Sequence, residues 1–288
     1  MKELLAMLAL AGLVAQASAA EPIRIGVVNE ISGPQAEAGR FTLNGIRLAL
    51  DEVNKAGGVL GRSIELRVED NGSTNPGTVL ALSKLASDTN RVAGIPTMID
   101  GIEPVLLQGY TANSQDFTPI VLAVKKSGSD ILGSYFTTAP DQGIFAKQMR
   151  QLGVNIAWVG SPALIAVSAL SLAGEALHGT YAIADFTLGA SDLTRSFGQK
   201  YRERYGINPD TYASWAYDAA HVLANAMRNA GSTDAEAVRS AIPGLKGFRG
   251  VEGAYEFDES GDGLHGYNVV RNDKGAITFM KRVDFPAR

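Results

Sequence analysis

The stretch 23–72 reads IRIGVVNEISGPQAEAGRFTLNGIRLALDEVNKAGGVLGRSIELRVEDNG, and its apolar period changes twice. A largely apolar run, Ile23–Val28, meets a Ser32-Gly33-Pro34 turn. Leu43, Ile46, Leu50 and Val53 then recur at helical spacing until Gly57-Gly58, and a second strand follows over Ser63–Glu69. Strand, helix, strand in this order predicts a βαβ unit, with two parallel strands and a helix on one face. Ligands of such sheets bind beyond the carboxyl ends of the strands, so the loop Asn29–Gly39 is the first candidate to face a ligand.

Downstream, Asn75-Pro76-Gly77 opens a predicted helix to about Ala86, and Val92–Ile99 reads as a strand. Only Asp100–Glu103 separate it from the apolar run Pro104–Leu107. Adjacent parallel strands need a crossover of about a dozen residues. The two runs therefore form a tight antiparallel pair or lie in different sheets. Different sheets are preferred, with the chain crossing between lobes near Asp100–Ile102. The βα rhythm then resumes: strand Val105–Gly109 and helix Phe117–Lys126, strand Ile131–Phe136 and helix Gly143–Leu152, strand Asn155–Val159 and helix Ala166–Leu177, strand Thr180–Asp185 and helix Asp192–Tyr205. This alternation predicts a parallel sheet covered on both faces. The uncharged run Ile156–Gly174 is broken by Gly160, Pro162 and serines, and divides into strand, loop and helix rather than a membrane span. After Pro209 come a long helix, Tyr212–Ala230, a short one, Asp234–Ile242, and a hairpin, Tyr267–Arg271 with Ala276–Lys281. A tail so unlike the repeat implies a return to the first lobe and an end on the second.

Composition narrows the class. A chain of 288 residues with 45% apolar and 19% charged residues folds as one large or two ordinary domains. A net charge of −4 gives no reason to expect nucleic acid or an anionic membrane as partner. Lys2, the apolar Leu4–Ala15 and the small residues Ala17–Ala20 read as a secretory signal cleaved after Ala20, one residue either way. With no cysteine there is neither a disulfide nor a lipid-anchored thiol, so packing alone must hold the exported protein together.

Chemical motifs are sparse. Asp258-x-Ser260-x-Asp262-Gly263 imitates half a calcium loop, but Val269 stands where the bidentate glutamate belongs, and a turn explains the composition. His178, His221 and His265 lack ligand-like spacing. No nucleophile elbow, phosphate loop or Gly-x-Gly-x-x-Gly follows the first strand, and Ser32 belongs to a turn. The reading is therefore of a binding protein without cofactor or metal.

The strand Ile23–Val28, Ser32-Gly33-Pro34, Asn44-Gly45 and above all Ala56–Arg62, then Gln108-Gly109-Tyr110, Tyr212–Asp218 and Phe257–Gly263, resemble the Leu/Ile/Val-binding type of periplasmic binding protein that serves ABC transporters. The resemblance implies a type I periplasmic binding protein fold, α/β, with two Rossmann-like lobes and a hinge of three crossing segments. Lobe boundaries are drawn at 21–100 plus 208–262 and 101–207 plus 263–288. It further implies a periplasmic location, an amino acid or related carboxylate as ligand, and permease subunits as partners. A ligand-sensing receptor module on the same fold is the alternative, and an exported hydrolase a third reading.

Position by position, the resemblance places Ala38 where the family carries an aromatic wall, Thr138 near a second-lobe aromatic with Tyr135 close by, Pro162 beside Ser161 where an acid holds the ligand ammonium, and Tyr212 at another aromatic wall. It also implies a deletion. Where relatives run on through a last first-lobe strand and into the second lobe, Ile99-Asp100-Gly101 passes directly to Glu103-Pro104. On the domain-size scale, roughly eighty residues are missing. The first lobe is thus incomplete, with Thr97 and Asp100 left at the cut edge.

Overall fold

The structure is a computed structural model that describes residues 21–74, 106, 108–258, 261–263 and 266–284. The opening βαβ unit forms as predicted. Strand β1 (Ile23–Asn29) pairs in parallel with β2 (Ile64–Asp70), Ile23 opposite Ile64. Between them, α1 (Ala36–Lys55) buries Phe41, Leu43, Leu48, Leu50 and Val53. Its end is fixed from both sides. Asn54 clamps the start of β2, donating from Nδ2 to the Ile64 carbonyl (2.9 Å) and accepting from the Ile64 amide (2.7 Å). The Ala56–Arg62 segment turns so tightly that a Cβ at Gly58 would lie 2.0 Å from the Arg62 carbonyl oxygen, which only glycine avoids.

The predicted helix 75–86, the strand 92–99 and the crossing at 100–102 lie outside the described residues. Beyond them the expected strand Val105–Gly109 is not seen: Leu106, Gln108 and Gly109 are outside any strand. Leu106 and Tyr110 pack against the second core instead. Helix α2 (Thr118–Ser127) is followed by three βα repeats: β3 (Ile131–Ser134) and α3 (Ala139–Gln151), β4 (Ala157–Gly160) and α4 (Val167–Ala173), β5 (Tyr181–Ala184) and α5 (Asp192–Tyr205). The helix expected over 166–177 is split. Ala166 is extended at ψ 146°, and Gly174 breaks the ladder, leaving short 3-10 turns on either side of α4.

After α6 (Thr211–Ala230) and α7 (Ala235–Ala241), a two-stranded ribbon pairs β6 (Phe248–Arg249) with β7 (Ala254–Tyr255). The Asp258 amide donates to the Asp262 carbonyl (2.9 Å). The tail hairpin, β8 (Gly266–Asp273) with β9 (Ala276–Asp284), then completes a five-stranded sheet in the order β3-β4-β5-β8-β9. Its first three strands are parallel and its last two antiparallel. The expectation of a parallel sheet covered on both faces is thus corrected in two ways. The hairpin supplies antiparallel strands, and among the described residues helices cover one face only. Ala182 and Ala184 are buried beneath helices, whereas Ile131, Tyr181 and Ile183 on the other face are exposed.

Two apolar cores result. The first gathers Phe41, Val53, Val59, Ile64, Phe197, Tyr201 and Tyr217. The second gathers Phe117, Phe136, Phe145, Met149, Trp158, Leu164 and Val270. Helix α5, grouped with 101–207 on sequence, packs Phe197 and Tyr201 into the first core, where Tyr201 stacks on Phe41. The chain leaves the second core at Ala184 and enters the first at Phe186, so Asp185 is the crossing residue. It returns between Phe257 and Val270.

In the first lobe, α1 and α6 lie close together. A Cβ at Gly45 would come within 2.1 Å of the Ala213 carbonyl oxygen, so the small residue sets that spacing.

Candidate functional site

The loops at the carboxyl ends of β1 and β3 meet across the space between the lobes. The loop after β1 is braced by Asp70, at the end of β2. Its carboxylate accepts the Ile31 and Ser32 amides (3.1 and 3.2 Å) and the Ser32 hydroxyl (2.6 Å). Ser32 is thus occupied as a turn residue. The start of α1 is held by Asn29, whose Nδ2 donates to the Gly39 carbonyl at 2.7 Å. From the second lobe, the segment before α3 is fixed by Thr138, whose hydroxyl donates to Asp141 (2.7 Å) and stands 3.4 Å from the Tyr110 hydroxyl.

Between these loops lies a cleft lined from the first lobe by Pro34, Gln35, Glu37, Ala38, Asp210 and Tyr212. From the second it is lined by Thr137–Pro140 and by Ala166, Val167 and Ser168. Of the residues singled out on sequence, Ala38, Thr138 and Tyr212 fall together here. Tyr135 is 78% exposed and outside the lining. Ser161 and Pro162 are outside it too, the Ser161 hydroxyl being engaged by the Phe136 backbone at 3.3 Å. Thr97 and Asp100 lie outside the described residues.

The acids of the cleft are Asp210 and Glu37, neither of them singled out on sequence. Asp210 caps α6, its Oδ1 accepting the Ala213 amide at 3.0 Å. The Asn208-Pro209-Asp210 run before a helix is a capping signal, but capping alone does not say that a residue faces a cleft. Burial pushes the Asp210 carboxyl up to about 7, against the lowering effect of the Ala213 and Tyr212 amides, and the charge of Glu37 adds to the rise. Burial also pushes Tyr212 up to about 12, helped by Asp210, Tyr135, Glu37 and Glu30. No lysine or arginine is among the lining residues, so the first-lobe wall is acidic. The second-lobe wall is uncharged, built from hydroxyls and the first turn of α3. Such a pair of walls can hold an ammonium on one side and present hydroxyl and amide donors on the other. The open cavity is about 30 Å³, room for a water molecule or two.

Metal chemistry finds no footing among the described residues, where no group of three or more His, Asp or Glu side chains could hold an ion. His221 sits on α6 with its Nε2 3.5 Å from Glu52. No helix among the described residues is long and apolar enough to cross a membrane.

The family profile described as "Periplasmic binding protein" matches residues 22–102 and 92–276, two stretches that overlap. Leu/Ile/Val-binding protein homolog 1 of Brucella suis is 27% identical over 177 residues, which cover 61% of this chain and 47% of the relative. The chain thus spans about half the length of that relative. The leucine-, isoleucine-, valine-, threonine- and alanine-binding protein of Pseudomonas aeruginosa is 21% identical over 349 residues, covering 91% of this chain and 92% of the other. That alignment is longer than the chain of 288 residues, so the relative carries residues with no counterpart here. Among solved structures, a leucine-binding protein from Thermotoga maritima superposes with a TM-score of 0.77 at 19% identity, over 91% of this chain and 99% of that one. The chain belongs to the periplasmic binding protein family, with the type I fold of the branched-chain amino acid binders among its structural neighbours.

Proposed function

We propose that this chain is the extracytoplasmic solute-binding component of an amino acid ABC transporter of the branched-chain type. Its ligand sits between the lobes and is held by hinge closure, and the permease reads the closed state. The observation that carries this reading is the cleft itself, in which the loop after β1 and the capped start of α6 face the loops before α3 and α4 across the lobe boundary. Asp210 and Glu37 take the ammonium, filling the role that Pro162 does not; Thr137 and Ser168 face the carboxylate. Residues 1–20 direct export to the periplasm and are removed there.

Binding is weaker than in longer relatives for two reasons. The cleft holds about 30 Å³ where small-molecule sites run to hundreds of cubic ångströms, so an amino acid enters only if the lobes part. The deletion that the family resemblance implies is the second, since it would remove residues expected to contact the ligand. Calorimetric titration of residues 21–288 with leucine, valine, phenylalanine and benzoate tests this. Binding near ~1 mM, lost in Asp210→Asn, is expected. Nanomolar binding would overturn the impairment, and no binding of any amino acid at ~10 mM would overturn the solute-binding role.

A further inference from the structure

Where the chain crosses between the lobes, three acids gather around too few protons. Asp185 is the crossing residue, Asp218 lies on α6, and Glu252 precedes β7. Glu252 and Asp218 are 5% and 1% exposed. The Tyr255 hydroxyl, with one proton, stands 2.9 Å from Glu252 Oε2 and 3.2 Å from Asp218 Oδ2. The Ser214 hydroxyl, also with one proton, stands 2.7 Å from Glu252 Oε1 and 2.9 Å from the Thr211 carbonyl. Two hydroxyl protons thus face four acceptor oxygens. If both carboxyls were ionised, lone pairs would oppose each other in a dry site, at a cost of kilocalories. One extra proton on Glu252 Oε2 resolves the conflict at Tyr255, which then accepts from Glu252 and donates to Asp218.

We propose that Glu252 carries this proton as a neutral acid, donating to Tyr255, and that its loss loosens the joint between the two lobes. Glu252 rather than Asp218 holds it because Asp218 is already served as an anion. The Val251 and Glu252 amides donate to Asp218 at 2.8 and 3.0 Å, and His221 stands nearby on the same helix. No cation reaches the Glu252 carboxyl among its described contacts. Arg282, from β9, sends Nη1 to the Glu252 backbone carbonyl (3.2 Å) and Nε to Asp284 (2.6 Å). The remaining charged neighbour, Asp185, is itself an acid and accepts the Trp215 indole N–H at 2.7 Å. Burial pushes Glu252 well up, and the charges of Asp185 and Asp218 push it the same way. The Glu252 carboxyl bonds the first-lobe Ser214 and Tyr255, while its backbone carbonyl takes Arg282 of β9 and the neighbouring Asp185 takes Trp215, so a charge appearing on Glu252 falls beside the contacts that tie the lobes together.

This inference does not depend on which ligand binds. Its test is a pH titration of Trp215 fluorescence in a Trp158→Phe background, which leaves Trp215 as the sole indole, with and without Glu252→Gln. The amide is neutral and keeps a donor. The expected result is a fluorescence transition between about pH 5 and about pH 9 that Glu252→Gln abolishes. The same transition in both proteins, or none in that range, overturns the proposal. Should Glu252→Gln fail to fold, the carboxyl ¹³C shifts of glutamate-labelled Trp158→Phe protein decide. A Glu resonance still protonated above about pH 6 is expected, and all glutamates titrating near their ordinary value of about 4.3 would overturn the proposal.

Discussion

Glu52, on α1, is the point where three helices of the first lobe are tied by one charge, and replacing it with glutamine tests how that lobe is held. Its carboxylate accepts the Tyr217 hydroxyl of α6 at 2.6 Å and Lys200 of α5 at 2.8 Å, with His221 at 3.5 Å. Burial alone would raise its pKa, but the bonds from His221, Lys200 and Tyr217 outweigh it and lower the group to about 2. Conversely, burial and the Glu52 bond push the Tyr217 phenol up. The fall from 4.5 to about 2 corresponds to about 3 kcal/mol favouring the folded anion, an upper figure. The Lys200 side chain is 48% exposed, so its pair adds at most about 1 kcal/mol, and the short phenol bond carries about 2 kcal/mol. Because the folded pKa is depressed, this stability is complete above about pH 5 and is lost as pH falls through about 2. Glu52→Gln should therefore cost about 2–3 kcal/mol in urea unfolding at pH 7, about half that near pH 3, and almost nothing near pH 2. A cost that stays the same from pH 7 to pH 2, or no cost at pH 7, would refute the assignment of the stabilisation to the charge.

Three further outcomes follow from packing. Phe41→Ala removes a ring 1% exposed that stacks on Tyr201, and should cost about 3–5 kcal/mol in the same assay, showing that α5 is a first-lobe element. Gly45→Val forces α1 and α6 apart and should lower the melting temperature by several degrees, by about 2 kcal/mol or more; an unchanged melting curve would mean the helices are not in close contact. Ile183→Thr lies on the open face of the five-stranded sheet and should cost under about 1 kcal/mol while reducing the binding of an apolar dye; a cost like that of a core residue would show the face to be covered.

Local order was legible in the sequence wherever period and punctuation agreed. Helix α5 begins at Asp192 and ends at Tyr205, the same bounds that its apolar spacing predicts, because Ser191 and Thr194 form a reciprocal cap and Gly206 closes the other end at φ 73°. The Ala56–Arg62 turn was legible for a similar reason: its glycines occupy backbone space that no other residue fits. At Val105–Gly109 the described Leu106 packs on the second core outside any strand, and period cannot separate that use from a strand. Coverage of the sheet was also illegible, since a strand with one face open alternates much as a strand with both faces packed does when the outer residues are Ile and Tyr. The site divides along the same line. Ala38, Thr138 and Tyr212 came from the family resemblance and not from period; all three line the cleft, Ala38 and Thr138 beyond β1 and β3 and Tyr212 in the first turn of α6. Asp210 and Glu37 could not be placed, since nothing in a helix-capping signal tells which way a cap residue faces.

Among the described residues, two apolar surfaces stand exposed. In the first lobe, Ile25 and Val27 of β1, Ile46 and Leu50 of α1, and Trp215 and Leu223 of α6 line a trough of about 350 Å³. In the second, Ile131, Tyr181 and Ile183 stand exposed on the sheet. A two-stranded parallel sheet such as β1-β2 ordinarily needs further strands or helices to be stable on its own. Here α1, α5 and α6 supply that support from one side, through Phe41, Tyr201 and Tyr217. The two lobes keep separate cores, one around Phe41 and Tyr201, the other around Phe145 and Trp158. The acid-rich joint between them draws on Asp185, Asp218 and Glu252, none of which lines either apolar surface. Helix-covered cores and a buried joint thus hold the fold without help from the exposed faces of the sheets.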